Sequence, residues 1–266
     1  MRNVFFRVKE YLRYLILSGH RKGHGIHSPF IYDVVSRVFR NKIDTAIVST
    51  VENQRRNLLA DRSYITVNDL GKGSIMSKGK SDKRKVSEIA RYSSVPKKYG
   101  MLLSNLAKEF GRSSIIELGT SFGMSTLYMA LSKTDARVHS IEGCQVTADM
   151  AKGNFERAGI GNIEIHTGSF DDKLPAILDH SDAPGLVFID GNHTKVPLLK
   201  YFGIISDKSD SQTVVVIDDI YLSPEMKEAW EEIRKHKKVS VSIDLYRMGI
   251  VFFREGINPN HFVVRY

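Results

Sequence analysis

The sequence predicts an α/β fold: a doubly wound, mainly parallel sheet of seven strands, the last antiparallel, with a helical N-terminal extension. Three observations carry this. From Ser113 onward, short β-rich runs alternate with helical patterns at the spacing of βαβ units. The last two runs are joined only by Asp244–Arg247, too few residues for a parallel crossover, so that pair must be antiparallel. The residues before about 96 show helical periodicity and no such alternation. Composition agrees. With 42% apolar and 26% charged residues in 266, the chain can build a core. No apolar run approaches the roughly 20 residues of a membrane span. Arg2 and Arg7 are followed by no long apolar stretch and no small-residue cleavage site, so a secretory signal is not expected. The single cysteine, Cys144, excludes an internal disulfide and a cysteine-based zinc site. The expected compartment is the cytosol.

The extension opens with an amphipathic helix. At about 100° per residue, Val4, Phe5, Val8, Tyr11, Leu12, Leu15 and Ile16 share one arc. Arg2, Arg7, Lys9, Glu10 and Arg13 lie opposite. Gly19, Gly23 and Gly25 break it, and Ser28-Pro29 suits a new helix start leading into Phe30–Arg40. A third helix is expected over 43–60. Residues 68–85, rich in glycine, serine and lysine, read as a flexible loop, and helices resume near 85–92 and 96–110. Residues 1–95 thus form a basic helical cap in this reading, and residues 96–266 the core.

In the core, strands are expected at 113–118, 137–141, 163–166, 185–189, 213–218, 239–243 and 248–254. Helices fall at about 123–132, 145–158, 170–179 and 194–206. Ser223-Pro224-Glu225 opens one more, with acids early and bases late, as the helix dipole favours.

The first core strand runs into Gly119-Thr120-Ser121-Phe122-Gly123. Gly119 permits a tight turn, Gly123 a close approach, and the following helix offers free N–H groups to a polar ligand. The spacing lacks the middle glycine that admits a pyrophosphate. Glu142 closes the second strand, where an acid can accept hydrogen bonds from both ribose hydroxyls. A nucleoside without a pyrophosphate is the expected ligand. Cys144, close by, reads as a small apolar filler. A second glycine-rich stretch, Asp69–Ser74, has no strand before it and no helix after it, and reads as a mobile loop and candidate lid.

Glu117-x-Gly119-x-x-x-Gly123 followed by Glu142 resembles the class I S-adenosylmethionine-dependent methyltransferases, whose Rossmann-like sheets also end in an antiparallel strand. The resemblance covers about residues 97–254. It implies S-adenosylmethionine as cofactor, with Glu117 and Gly119 against the methionine moiety and Glu142 on the ribose. Thr120, Ser121 and Gly123 would complete the cofactor turn, and Ser169 and Phe170 would lie along the adenine edge.

The fourth strand ends in Asp190 and the fifth in Asp218-Asp219. Ligands of open α/β sheets bind beyond such strand ends. If the two strands are neighbours, their ends lie about 5 Å apart. Three converging carboxylates would then protonate in part or bind a hard divalent cation such as Mg²⁺. The layout resembles the catechol and caffeoyl-CoA branch of O-methyltransferases, which implies Asp190, Asp218 and Asp219 as metal ligands and Asp190 also as a cofactor contact. Asp219 stands where that branch has Asn, and His193 where it has a lysine base. A histidine can serve at neutral pH as the base or as a ligand. Methylation of a small hydroxylated acceptor, with Asp190 and His193 catalytic, is the function the resemblance implies.

Residues 1–112 carry 23 lysines and arginines against 9 acids. That basic front raises a nucleic-acid methyltransferase as an alternative. No Asn-Pro-Pro-Tyr-like motif and no RNA-binding motif support it. A non-catalytic cofactor-binding module is the third reading. The helix over 4–17 is expected to dock on the core or on a second copy, as in a homodimer, in preference to a membrane surface. His24 and His27 read as loop residues rather than a metal pair.

Overall fold

The computed structural model describes residues 2–18, 26, 28–68 and 82–266. The chain divides into two compact units, Lys42–Pro184 and Met1–Asn41 with Gly185–Tyr266. The first unit holds α3 (Thr45–Ala60), the strands β1 (Tyr64–Val67) and β2 (Asp82–Lys85), α4 (Val86–Ser93) and α5 (Lys97–Phe110). These follow α1 (Arg2–Leu17) and α2 (Pro29–Asp33) of the second unit, α2 running on into a π-helical turn, Val34–Val38. Next come β3 (Ser114–Leu118), α6 (Met124–Ser132), β4 (Arg137–Glu142), α7 (Gln145–Arg157), β5 (Ile163–Thr167) and α8 (Phe170–Asp179). The second unit resumes with β6 (Leu186–Ile189), α9 (Lys195–Lys208), β7 (Val214–Ile217), α10 (Pro224–Ile233), β8 (Val241–Asp244), β9 (Gly249–Phe252) and β10 (Asn260–Val263).

In unit Lys42–Pro184, β3, β4 and β5 are parallel neighbours in that order. Every residue of β3 is buried, as expected of a strand covered on both faces. The core beside it is built by Val51 and Leu58 of α3, Val86 and Ile89 of α4, Leu127 and Tyr128 of α6, and Phe155 of α7. The Tyr128 hydroxyl donates to Glu52 at 2.9 Å, so α3 is tied by a polar contact as well.

In the other unit the strand order is β10-β8-β9-β7-β6. β6 and β7 are parallel, and β9 runs antiparallel to both β7 and β8. Ser223 caps α10 by accepting from Met226 N–H at 3.2 Å, with Pro224 in the first turn, as its sequence suggests. The amino-terminal residues are fastened to this unit. The Tyr14 hydroxyl donates to the Val264 carbonyl at 2.8 Å, Lys227 pairs with Glu10 at 2.8 Å, and the Phe30 and Phe252 rings meet edge to face.

Several expectations are corrected. The chain does not divide at residue 95. α3 and α4 belong to the core of one unit, while the described residues of α1 and α2 pack with the carboxyl-terminal residues of the other. Residues 64–67, given no element above, and 82–85, expected within the 68–85 loop, pair as antiparallel strands. Tyr64-Ile65-Thr66-Val67 carries a strand composition, whereas Asp82-Lys83-Arg84-Lys85 has no alternation and is a strand through backbone pairing alone. An eighth core strand, β10, lies parallel to β8. The segment Phe30–Arg40 is a single α-helical turn plus a π-turn rather than one α-helix. The first helix docks by Glu10 and Tyr14, both buried, and its apolar arc stays in solvent, with Phe5 75% and Ile16 83% exposed. Asp69–Ser74, His24 and His27 lie outside the described residues. Among the described residues, no helix is long and apolar enough to cross a membrane.

The buried Glu10 gives a direct test of the α1 anchor. Lys227→Met leaves its carboxylate without a cation and should destabilise the protein by about 1–3 kcal/mol in urea unfolding at pH 7. That is below the range for fully buried pairs, because Lys227 is 21% exposed. Glu10→Gln should be milder.

Candidate functional site

The turn after β3 is built from residues that accept left-handed backbone. Gly119 has φ 106°, Ser121 φ 47° and Gly123 φ 81°. At Gly123 an added Cβ would come within 2.3 Å of the Phe155 ring, so the turn is pressed onto α7 and admits no side chain there. Ser121 N–H donates to Glu142 Oε2 at 2.7 Å, and Cys144 N–H to Oε1 at 2.9 Å. The carboxylate at the end of β4 is thus fixed by one backbone donor from the glycine turn and one from its own turn. Gly168 N–H donates to the Glu142 carbonyl at 2.9 Å, which brings the β5 turn alongside. Ser169 caps α8 by accepting from Asp172 N–H, with Phe170 the first helical residue.

Beneath the turn lies Glu117, with no exposure to solvent. Its Oε2 accepts from Ser140 Oγ at 2.6 Å and from Thr126 Oγ1, and Thr120 Oγ1 sits 2.5 Å from Ser140 Oγ. Its Oε1 is buried with no hydrogen-bond partner among the described residues. Burial, only partly offset by the Ser125, Ser140 and Thr126 hydroxyls, pushes the Glu117 carboxyl up to about 7. A ligand bringing a cationic donor fits such an acceptor. Expected cofactor residues Glu117, Gly119, Thr120, Ser121, Gly123 and Glu142 are therefore gathered in one place, and the polar partners Thr126 and Ser140 are added to them.

The second constellation belongs to the other unit. Asp218 N–H donates to the Ile189 carbonyl at 2.9 Å, so the ends of β6 and β7 are neighbours as expected. After β6, Asn192 turns the chain with φ 52°, and His193 Nε2 comes to 3.5 Å from Asp190 Oδ1. After β7, Asp219 also has φ 52°. Left-handed backbone at non-glycine residues, repeated at Ser121, Asn192 and Asp219, is typical of functional turns.

Arg247 changes the reading of these carboxylates. Its Nε and Nη2 reach both oxygens of the buried Asp218, at 3.1 and 2.8 Å, and Nη2 lies 3.7 Å from Asp219. Burial, then Asp219, push the Asp218 carboxyl above its usual range, and the guanidinium opposes them. Asp190, Asp218 and Asp219 do not gather three ligand atoms around one point. Both oxygens of Asp218 are committed to a fixed cation, an arrangement that does not suit a divalent ion on Asp190, Asp218 and Asp219. Sequence reasoning missed Arg247, although the signal existed. The β7–β9 register, Ile217 opposite Gly249, continues to place residue 247 beside residue 219.

Comparison with known proteins agrees with the fold and the turn. Residues 116–220 match the family described as a methyltransferase domain. A catechol O-methyltransferase of Niastella koreensis is 32% identical over 130 residues, 48% of this chain. The chain spans 58% of the length of that relative. The O-methyltransferase TomG of Streptomyces achromogenes, solved with S-adenosylmethionine, has a TM-score of 0.55 at 21% identity over 84% of this chain and 95% of its own. The O-methyltransferase of Bacillus cereus, solved with S-adenosylhomocysteine, has a TM-score of 0.55 at 19% identity over 90% of this chain and 99% of its own. The Podospora anserina methyltransferase PaMTH1 has a TM-score of 0.59 at 12% identity over 86% and 97%. The chain resembles class I methyltransferases of the catechol and caffeoyl-CoA type, as its motifs imply, and has their Rossmann-like fold.

Two outcomes follow from the buried charges. A raised acid favours folding below its unfolded value, 4.5 for Glu117, and that contribution is lost as pH rises through about 7. Glu117→Gln should therefore remove a decline of about 3 kcal/mol in ligand-free stability between pH 4.5 and 8, read by denaturant unfolding across that range. Arg247→Met strands the buried Asp218 and should destabilise by about 3–5 kcal/mol at pH 7, with Asp218→Asn in the same chain restoring part of the loss.

Proposed function

We propose that the protein is an S-adenosylmethionine-dependent O-methyltransferase acting on a small hydroxylated acceptor, without a divalent ion on Asp190, Asp218 and Asp219. The observation that carries this reading is the Glu142 carboxylate, fixed at the end of β4 by the N–H groups of Ser121 and Cys144 beside a glycine turn. A carboxylate held in this way accepts the two hydroxyls of a ribose, and the packing of Gly123 against Phe155 fixes the turn beside it. Glu117 suits the ammonium of a methionine moiety, because its buried Oε1 lacks a donor. Ser169 and Phe170 open α8 and would border the adenine.

The cofactor supplies a methyl group on a sulfonium, which leaves as a thioether. The chain's own residues handle the proton. When bound, the cofactor would be held by the Glu117–Glu142 turn and would supply the methyl group, and His193 would take the acceptor's hydroxyl proton at Nδ1. Asp190, 3.5 Å from Nε2, steadies the imidazolium so formed. The Arg247 guanidinium balances Asp218 and Asp219, the charge a metal would otherwise neutralise.

Calorimetric titration with S-adenosylmethionine and S-adenosylhomocysteine tests this reading. Both should bind the wild type equally with Mg²⁺ and with a chelator. Glu142→Ala should weaken binding about 10–100-fold, as expected for lost hydrogen bonds to a charged acceptor. Affinity should rise with pH through about 7 as Glu117 ionises, with proton release that Glu117→Gln abolishes. Failure of both ligands to bind would remove the methyltransferase reading. Binding or turnover that requires Mg²⁺ and is lost in Asp218→Ala would restore the metal.

A further inference from the structure

One group of metal-binding side chains lies outside both constellations. His139 on β4 stands directly across from Glu164 on β5, and His166 lies two residues further along β5 on the same face. Their donor atoms converge. His139 Nδ1 is 3.1 Å from His166 Nε2, and Glu164 lies 3.7 Å from each, through Oε2 toward His139 and Oε1 toward His166. All three ligand atoms fall within 4.8 Å of one another.

Ligands about 2.0–2.1 Å from a tetrahedral zinc stand roughly 3.3–3.4 Å apart. The two imidazole nitrogens are close to that at 3.1 Å, and each has a different Glu164 oxygen at 3.7 Å, so a small rotation of the carboxylate brings one or both oxygens to a shared ion. One N–H···N hydrogen bond joins the two imidazoles, and at 3.7 Å the carboxylate is too far to accept a hydrogen bond from either, so that bond does not account for the position of Glu164. The side chains are part exposed, 19% for His139, 21% for His166 and 49% for Glu164, which leaves a side open for water as a remaining ligand. Burial is the first cause that holds both imidazoles below their ordinary value. Arg137 acts in the same direction on His139 and Lys173 on His166, while Glu164 opposes on both. The neutral imidazole is the form that binds metal.

We infer that His139, Glu164 and His166 form a site for a zinc-class divalent ion that clamps β4 to β5. Two imidazoles and one carboxylate select borderline ions such as Zn²⁺, Co²⁺ or Ni²⁺ over Mg²⁺ or Ca²⁺. β5 is the last strand in the sheet order, so the clamp holds an edge strand whose other side has no neighbouring strand among the described residues. An ion that binds only the folded chain stabilises it by mass action. This site takes no part in the proposed methyl transfer, and its test does not depend on that reading.

The test is titration of the metal-stripped full chain with Zn²⁺ by calorimetry and with Co²⁺ by visible absorption. One equivalent should bind, with a Co²⁺ band of low-coordinate type, a raised melting temperature and no competition from millimolar Mg²⁺. His166→Gln and His139→Ala should each weaken binding at least about tenfold, and Glu164→Gln should weaken it less. Unchanged melting of the metal-free His166→Gln variant shows that the loss is local. If His139→Ala fails to fold, His166→Gln and Glu164→Gln still decide the question. Absence of binding, or binding that both of these variants retain, would overturn the site; retention would move the ion to other histidines among the nine.

Discussion

The buried Glu117 carboxyl sets the geometry on which the glycine turn after β3 depends. It sits on β3, opposite Ser140 on β4, and takes hydrogen bonds from that serine and from Thr126 in the first turn of α6. One acid therefore ties two strands and a helix start together. With those three points pinned, the chain between them has little choice. It must turn within Gly119–Gly123, and it does so through left-handed backbone at three residues. The same turn then presents Ser121 N–H to Glu142, so the buried acid indirectly orients the one nearer the surface. A carboxyl whose ionisation burial opposes is a costly choice for a core position, and an apolar residue would pack there without that penalty. Its retention makes sense if a cationic ligand completes it.

The other unit solves a similar problem with a different counter-charge. Asp218 is buried, and Asp219 adjoins it. A divalent ion and a guanidinium are alternative ways to neutralise such a pair. Here the guanidinium comes from Arg247 in the short β8–β9 connection, and its planar fork matches both oxygens of Asp218. A fixed side chain cannot polarise an acceptor oxygen as an exchangeable ion can. The same unit holds the His193–Asp190 pair, with Nε2 3.5 Å from Oδ1.

Much of this was legible in the residues. All seven expected core strands and the helices between them appear close to their anticipated limits, because alternation, glycine turns and the Ser223-Pro224 start are local signals. The glycine turn was legible for the same reason, since Glu117, Gly119, Gly123 and Glu142 are close in sequence. What escaped was non-local. The β1–β2 hairpin joins segments on either side of residues 69–81, and its second strand has no pattern of its own. The docking face of α1 was misread because Glu10 and Tyr14 look like solvent positions on a helical wheel. Their partners, Lys227 and Val264, lie more than two hundred residues away.

The His139–Glu164–His166 group shows how far this limit extends to function. Taken singly, each residue is an ordinary polar position on a half-exposed strand face. No ligand pair has the i, i+4 spacing of a helical metal motif, and Glu164-x-His166 alone is too sparse to signal a site. The group exists only through the parallel register of β4 and β5, which sets His139 opposite Glu164 across 25 residues of chain. A one-residue slip of that register would send Glu164 and His166 to the opposite face. An ion bound here would therefore do more than add contacts: it would select the register that also carries Glu142 to the end of β4, opposite Thr167.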